Sequence, residues 1–284
     1  MRRLPRALIL SALALLSVSG LGGARAQTSA SPAADTPTVT TDDPWPSLAA
    51  QIFDNHPLQD GRAVVAIDAP YRAEDAALVP ITIRLLLPPD QLSRVRKVTL
   101  VIDENPSPLA AVFEFAPDSG IDRLSTRVRV NDYTNIHAVA ETADGTLFVT
   151  QRFVKAAGGC SAPAATPVAG DVPLGTMRFR RFPPGSDPAT TSPEAELMIR
   201  HPNYSGMQMD QVTRLYTPAH FVRSVTLWRN DRKLLGVEGG ISLSENPAFR
   251  FDYRPDGASR FRAEVVDSKG LHFIAEWPPR HPGT

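Results

Sequence analysis

A single cysteine, Cys160, stands in the stretch "VKAAGGCSAPAATPVAGD" at residues 154 to 171 of a 284-residue chain. Its thiol is the one soft nucleophile present, able to carry a persulfide, a thiosulfonate or a mixed disulfide. The neighbouring glycines, alanines and prolines have no side chains with which to build a pocket. The sequence therefore predicts an exposed thiol of ordinary acidity, with a pKa of about 8.5, that reacts with a maleimide nearly as fast as in the denatured chain. A catalytic cysteine needs a base and an orienting group held within roughly 3 Å, and a flexible segment holds neither. The setting suits a passenger group that partner enzymes take into their own sites. Cys160 is the candidate for covalent substrate attachment, and Gly158 and Gly159 make a flexible arm without the bulk that would block a narrow channel.

No other chemistry competes with it. The chain has no phosphate-cradling glycine loop between strand and helix, no H-E-x-x-H, no cysteine pair for zinc and no G-x-S-x-G elbow. The histidines are His56, His137, His201, His220, His272 and His281, and none stands two or four residues from another. No metal, cofactor or catalytic residue is expected. His137 and His272 fall inside strand patterns and read as sheet residues, while "HPNYSGMQMD" (201 to 210) and "PAHF" (218 to 221) read as loops used for packing or partner contact.

The elements that must position the thiol come next. Residues 1–26 have Arg2, Arg3 and Arg6 before a short apolar run and end in Ala24-Arg25-Ala26, the pattern of a secretory signal peptide cleaved after Ala26. The apolar run is too short for a membrane span. An arginine doublet leaves both the general and the twin-arginine export routes open. Cleavage leaves 26 basic against 30 acidic residues, a net charge of −4 that excludes nucleic acid as an expected partner. No later stretch is apolar enough to cross a bilayer, so the product is expected in an oxidising exported compartment, most simply a periplasm.

Residues 27–43 are small, polar and proline-containing, and read as a disordered lead. Trp45, Leu48, Ala49, Ile52 and Phe53 then recur at helical spacing, predicting one short helix. Beyond it the period changes to two. "AVVAID", "VPITIRLLL", "VRKVTLVID", "AAVFEFA", "STRVRV", "IHAVAET" and "TLFVTQRFV" predict seven strands of an antiparallel sandwich over 44–155. A Gly/Ala/Pro linker over 156–173 carries Cys160, and "GTMRFRRF", "AELMIR", "FVRSVTLWRN", "AFRFDYR", "SRFRAEVVDS" and "HFIAEW" predict a second sandwich over 174–284. The second half repeats the first: "VRKVTL" at Val95 answers "VRSVTL" at Val222, "ENPSPLAAVFEF" answers "ENPAFRFDY", and "STRVRV…ADGTLFV" answers "SRFRAEV…SKGLHFI". The expected fold is all-β: two tandem immunoglobulin-like antiparallel β-sandwiches with one short N-terminal helix.

In "ENPSPLAAVFEF", "APDSG", "STRVRV", "AVAETADGTLF" and "VKAAGGC" the first half resembles SoxY; in "IRHPNYSGMQMD", "TPAHFVRSVTL" and "SENPAFRFDY" the second resembles SoxZ. These are the two subunits of the SoxYZ sulfur carrier of periplasmic thiosulfate oxidation. The single-chain order resembles the fused SoxYZ-like carriers associated with quinoprotein dehydrogenases. The resemblance implies a noncatalytic carrier with its cargo on Cys160, internal pairing of the two domains, and partners among sulfur-oxidising or quinoprotein redox enzymes and c-type cytochromes. In SoxY the cysteine lies in a Gly-Gly-Cys-Gly-Gly arm at a free C-terminus; here the chain runs on into a second domain. Six residues from Val154 give Cys160 a root-mean-square reach of roughly 13 Å. Two alternatives remain at this point: a binding or assembly accessory in which Cys160 is incidental, and a thiol-dependent enzyme for which no base is evident.

Overall fold

The computed structural model describes residues 43–163, 172–185, 192–254 and 259–279. The expected signal peptide, the lead up to residue 42 and linker residues 164–171 lie outside the described residues. The predicted helix is α1, Trp45–Ile52, with Pro44 at its N-cap and Pro46 in the first turn, where a missing N–H costs nothing. Asp54 and Asn55, both at positive φ, turn the chain out of it. The first half then forms β1 (Leu58–Asp60), β2 (Val65–Asp68), β3 (Val79–Leu85), β4 (Val95–Ile102), β5 (Leu109–Phe115), β6 (Arg123–Val128), β7 (Thr134–Thr142) and β8 (Leu147–Val154). The second forms β9 (Met177–Phe182), β10 (Glu194–Ile199), β11 (Val222–Arg229), β12 (Arg232–Gly239), β13 (Ala248–Asp252), β14 (Phe261–Asp267) and β15 (His272–Trp277). Among the described residues no helix is long and apolar enough to cross a membrane.

All-β architecture with one short helix is what the patterning predicts. Each half is a sandwich: β8-β7-β4-β5 faces β2-β3-β6 in the first, and β15-β14-β11-β12 faces β13-β10-β9 in the second. Alternating side chains explain the faces, as in β3, where Val79, Ile81, Ile83 and Leu85 are buried and the residues between them are not. Phe113 and Phe249, one from each half, meet edge to face with centroids 6.4 Å apart. One buried apolar cluster runs through both halves.

The halves are joined more closely than tandem beads. β5 pairs with β12 from Phe115↔Leu235 to Ala111↔Gly239, and β6 pairs with β13 through Ser125↔Arg250 and Leu124↔Phe251. The two sandwiches thereby merge edge to edge into a nine-stranded and a six-stranded sheet. Pairing covers strand edges that would otherwise be exposed. The strand β12 is absent from the sequence reading, because Gly236 and Gly239 weaken its β signal while its burial comes from the neighbouring half.

Strand order corrects part of the internal alignment. The halves match as β2/β9, β3/β10, β4/β11, β5/β12, β6/β13, β7/β14 and β8/β15. "VRKVTL" and "VRSVTL" do occupy equivalent strands, β4 and β11. "ENPSPLAAVFEF" and "ENPAFRFDY" place β5 against β13, and "STRVRV" and "SRFRAEV" place β6 against β14, which are not equivalent. A period of two alone cannot tell neighbouring strands apart.

A protease site engineered between residues 163 and 172 should be cut to give two fragments that still coelute on a sizing column. Calorimetry of the uncut chain should show one transition over residues 43–279, as a shared core requires. Fragments that separate without denaturant would contradict the merged sheets.

Candidate functional site

The seat of Cys160 begins where β8 ends. Lys155 bridges to Arg72, with its N–H on the Tyr71 carbonyl at 2.7 Å and its own carbonyl taking the Ala73 N–H at 3.1 Å. The chain then lies against the residues that come after β6: Gly158 N–H donates to the Asn131 carbonyl at 2.8 Å, and Gly159 N–H to the Val130 carbonyl at 2.9 Å. A turn closes through Ser161 N–H on the Gly158 carbonyl at 3.2 Å. Gly159 is held so closely that a Cβ there would lie 2.0 Å from the Ala76 carbonyl oxygen and 2.6 Å from that of Val130. Only glycine fits. Gly158, with φ of +77°, has open space on its Cβ side.

This corrects the expectation of an exposed thiol on a loose arm. Cys160 is 0% exposed. Small neighbours cannot build a pocket themselves, but their smallness lets the chain sink against backbone supplied by distant segments. Burial pushes the thiol from 9.0 up to about 11, against the pull of the Arg129 positive charge in the other direction. Cys160 is docked as a neutral thiol.

The second half reaches the cysteine through Ser205. Ser205 Oγ donates to the Cys160 carbonyl at 2.5 Å, and Gln208 Oε1 accepts the Ser205 N–H at 2.9 Å. A buried polar cluster pins this loop. Asn203, at positive φ, spans Leu243 and Val222: its Nδ2 donates to the Leu243 carbonyl at 2.9 Å and its Oδ1 accepts the Val222 N–H at 2.8 Å. Tyr204 and His220 exchange backbone hydrogen bonds, and the His220 ring lies 2.6 Å from Asp267 Oδ2. From the first half, Asn105 reaches across: its Nδ2 donates to the Arg129 carbonyl and to Ser242 Oγ, and its Oδ1 takes the Asn131 N–H. The "HPNYSGMQMD" loop, read from sequence as packing or partner contact, makes its contact within the chain.

His201, His220 and Asp267 come together, although their positions in the sequence predict no metal site; their ligand atoms all lie within 4.8 Å of one another. His201 Nδ1 accepts the Asn203 N–H at 3.1 Å, so the neutral ring carries its proton on Nε2, facing Asp267. A metal on Nε2 would need that proton on Nδ1, where a second N–H already points. Burial and the neighbouring His220 lower the His201 pKa to about 4, keeping it neutral. The three side chains form a buried hydrogen-bonded cluster that ties the 201–204 segment to β14. His137 is a satisfied sheet residue as expected, between Asp103 and Gln151 and beneath the stacked ring of Trp45 at 3.6 Å.

The thiol-bearing loop and its backbone seat thus belong to one half, and the Ser205 contact to the other. A scan against family models matches residues 49–160 to the sulfur oxidation protein SoxY and residues 185–278 to the sulphur oxidation protein SoxZ. The chain belongs to the SoxY and SoxZ families, fused in that order. The SoxY match ends on Cys160 itself. No curated protein matches the chain. SoxY and SoxZ are noncatalytic carrier components of sulfur oxidation, and in this fusion the SoxY-like half bears the cysteine while the SoxZ-like half holds its carbonyl through Ser205.

Arg129, Asn105, Ser205 and Ala76 were not singled out in the sequence. Arg129 sits in an alternating run, "STRVRV", where its position reads as solvent-facing; it is buried because β6 ends at Val128 and the SoxZ-like half covers the next residues. Gly159→Ala should lower stability by about 3 kcal/mol through overpacking against backbone and raise the maleimide rate of Cys160, whereas Gly158→Ala, strained only by its φ of +77°, should cost about 1–2 kcal/mol and leave the thiol protected. The difference in stability between wild type and Cys160→Ala should be constant below pH 9.0 and then fall for the wild type towards pH 11, because the unfolded thiol ionises before the folded one. Urea melts across this range check both; a maleimide rate in the native wild type equal to that in urea would contradict the seat.

Proposed function

We propose that the chain is a periplasmic carrier that holds a sulfur-containing intermediate covalently on Cys160 and presents it to partner redox enzymes. The observation that carries this reading is the coincidence of the end of the SoxY match with the cysteine whose carbonyl the SoxZ-like half holds through Ser205. The cargo is a persulfide or a thiosulfonate. Joining thiosulfate to the Cys160 thiolate as –S–S–SO₃⁻ releases two electrons, which one-electron acceptors such as c-type cytochromes take up. Sulfur-oxidising or quinoprotein redox enzymes are the proposed partners, and export is directed by the signal peptide cleaved after Ala26.

The docked state is then a resting state. A thiol with a pKa of about 11 is almost wholly protonated at neutral pH, and a buried sulfur meets no partner. Delivery requires the 156–163 segment to leave its seat, releasing the Ser205 contact and the two glycine N–H bonds. Because the chain continues beyond the loop, its reach is bounded, and shallow partner clefts suit it better than deep channels. The accessory reading, with Cys160 incidental, is favoured only by that burial.

Intact-mass measurement of protein purified without reductant decides between them. A reducible sulfur adduct on the wild type, absent from Cys160→Ala, is expected. A consistently bare thiol after incubation with thiosulfate, a sulfur-oxidising partner enzyme and oxidised c-type cytochrome would contradict the carrier. As the site is buried, Cys160→Ala should cost about 1 kcal/mol, more than an exposed position would.

A further inference from the structure

Arg129 is the largest fully buried side chain in the described structure, at 0% exposure. Its Nη1 donates to the Gly159 carbonyl at 3.1 Å, one peptide before the cysteine. Its Nε and Nη2 have no hydrogen-bond partner among the described residues. Burial lowers the guanidinium pKa, opposed by the fields of Glu245, Cys160 and Asp75. Nothing in the backbone calls for this residue type: the Arg129 N–H reaches the Ser242 carbonyl and its carbonyl takes Asn105 Nδ2, as any residue's would. A buried cation with idle donors is costly, and an apolar side chain of similar length would pack there more cheaply. What arginine adds is a fixed positive charge with two unused donor nitrogens, held away from water next to the cysteine loop, where a charge acts strongly.

We propose that Arg129 is the charge partner of the group carried on the sulfur of Cys160, a positioning residue that makes the docked seat hold negatively charged adducts more firmly than neutral ones. The neutral thiol, a weak acceptor, gains little from the idle donors. An anionic adduct can use them, so a carrier loaded with a sulfur oxyanion closes more firmly than an empty one and shields a labile S–S bond. The natural identity of that anion rests on the carrier reading above; the charge preference does not.

A matched pair of alkylating probes tests it without partner enzymes. The Cys160 thiolate displaces iodide from iodoacetate or from iodoacetamide, forming an S–CH₂ bond to an anionic or a neutral group, with no change of oxidation state elsewhere. In the full chain, the ratio of Gly159 amide protection from hydrogen exchange in the carboxymethyl adduct to that in the carboxamidomethyl adduct should fall about tenfold in Arg129→Met, a loss equivalent to about 1.4 kcal/mol. Arg129→Lys should retain part of it. The carboxymethyl adduct of the wild type should melt above the carboxamidomethyl adduct, and that gap should vanish in Arg129→Met. A merely structural arginine would lower the melting temperature while leaving the ratio untouched, and an unchanged ratio overturns the proposal. Should Arg129→Met fail to fold, a wild-type carboxymethyl adduct melting no higher than its neutral counterpart overturns it equally. Neither readout involves sulfur cargo, so absence of a natural adduct would count against the carrier alone.

Discussion

The close approach of Gly159 to the Ala76 and Val130 carbonyls is the constraint on which the site depends. Any side chain at this position would lift the loop by more than the hydrogen bonds of Gly158 and Gly159 tolerate. With glycine, Cys160 sinks below the surface, its carbonyl meets Ser205, and the preceding carbonyl meets Arg129. Two halves far apart in sequence therefore share one thiol. Glycine serves here for proximity of backbone to backbone more than for freedom of movement.

That sharing is possible because the sheets are continuous. The β5–β12 and β6–β13 pairings fix Ser242 and Leu243 beside Arg129 and Val128, and so fix the SoxZ-like loop over the SoxY-like cysteine. Fusion in one chain makes the partner's concentration irrelevant. It also ties the cysteine at both ends, so the loop opens locally where a free arm would swing. A low-dielectric seat keeps the empty thiol protonated, which restrains a reactive group until opening exposes it.

Much of the fold was legible in the sequence. Apolar residues at every second position marked thirteen of the strands, and Trp45, Ala49 and Phe53 marked the helix. The exceptions have a common cause. Three-residue β1 is too short to show a period, and β12, with its glycines, is a strand because β5 lies beside it. The cysteine was legible as the one candidate; its burial was not, since that depends on Ala76, Val130 and Ser205, between 30 and 84 positions away. Local composition describes what a segment can build for itself, not what distant segments build around it. Arg129 was hidden for the same reason.

The central claim is a thiol docked between the two halves that is released by local opening without unfolding. Amide hydrogen exchange at Gly158 and Gly159 tests it most directly, measured beside the core amides of β4 and β7. The account predicts protection well above that of a free loop, with an opening free energy several kcal/mol below that of the core strands and unaffected by mild denaturant. Exchange as slow as the core, with full denaturant dependence, would mean that the cysteine is reached only by global unfolding, and unprotected exchange would mean that the seat does not form; either result contradicts the account.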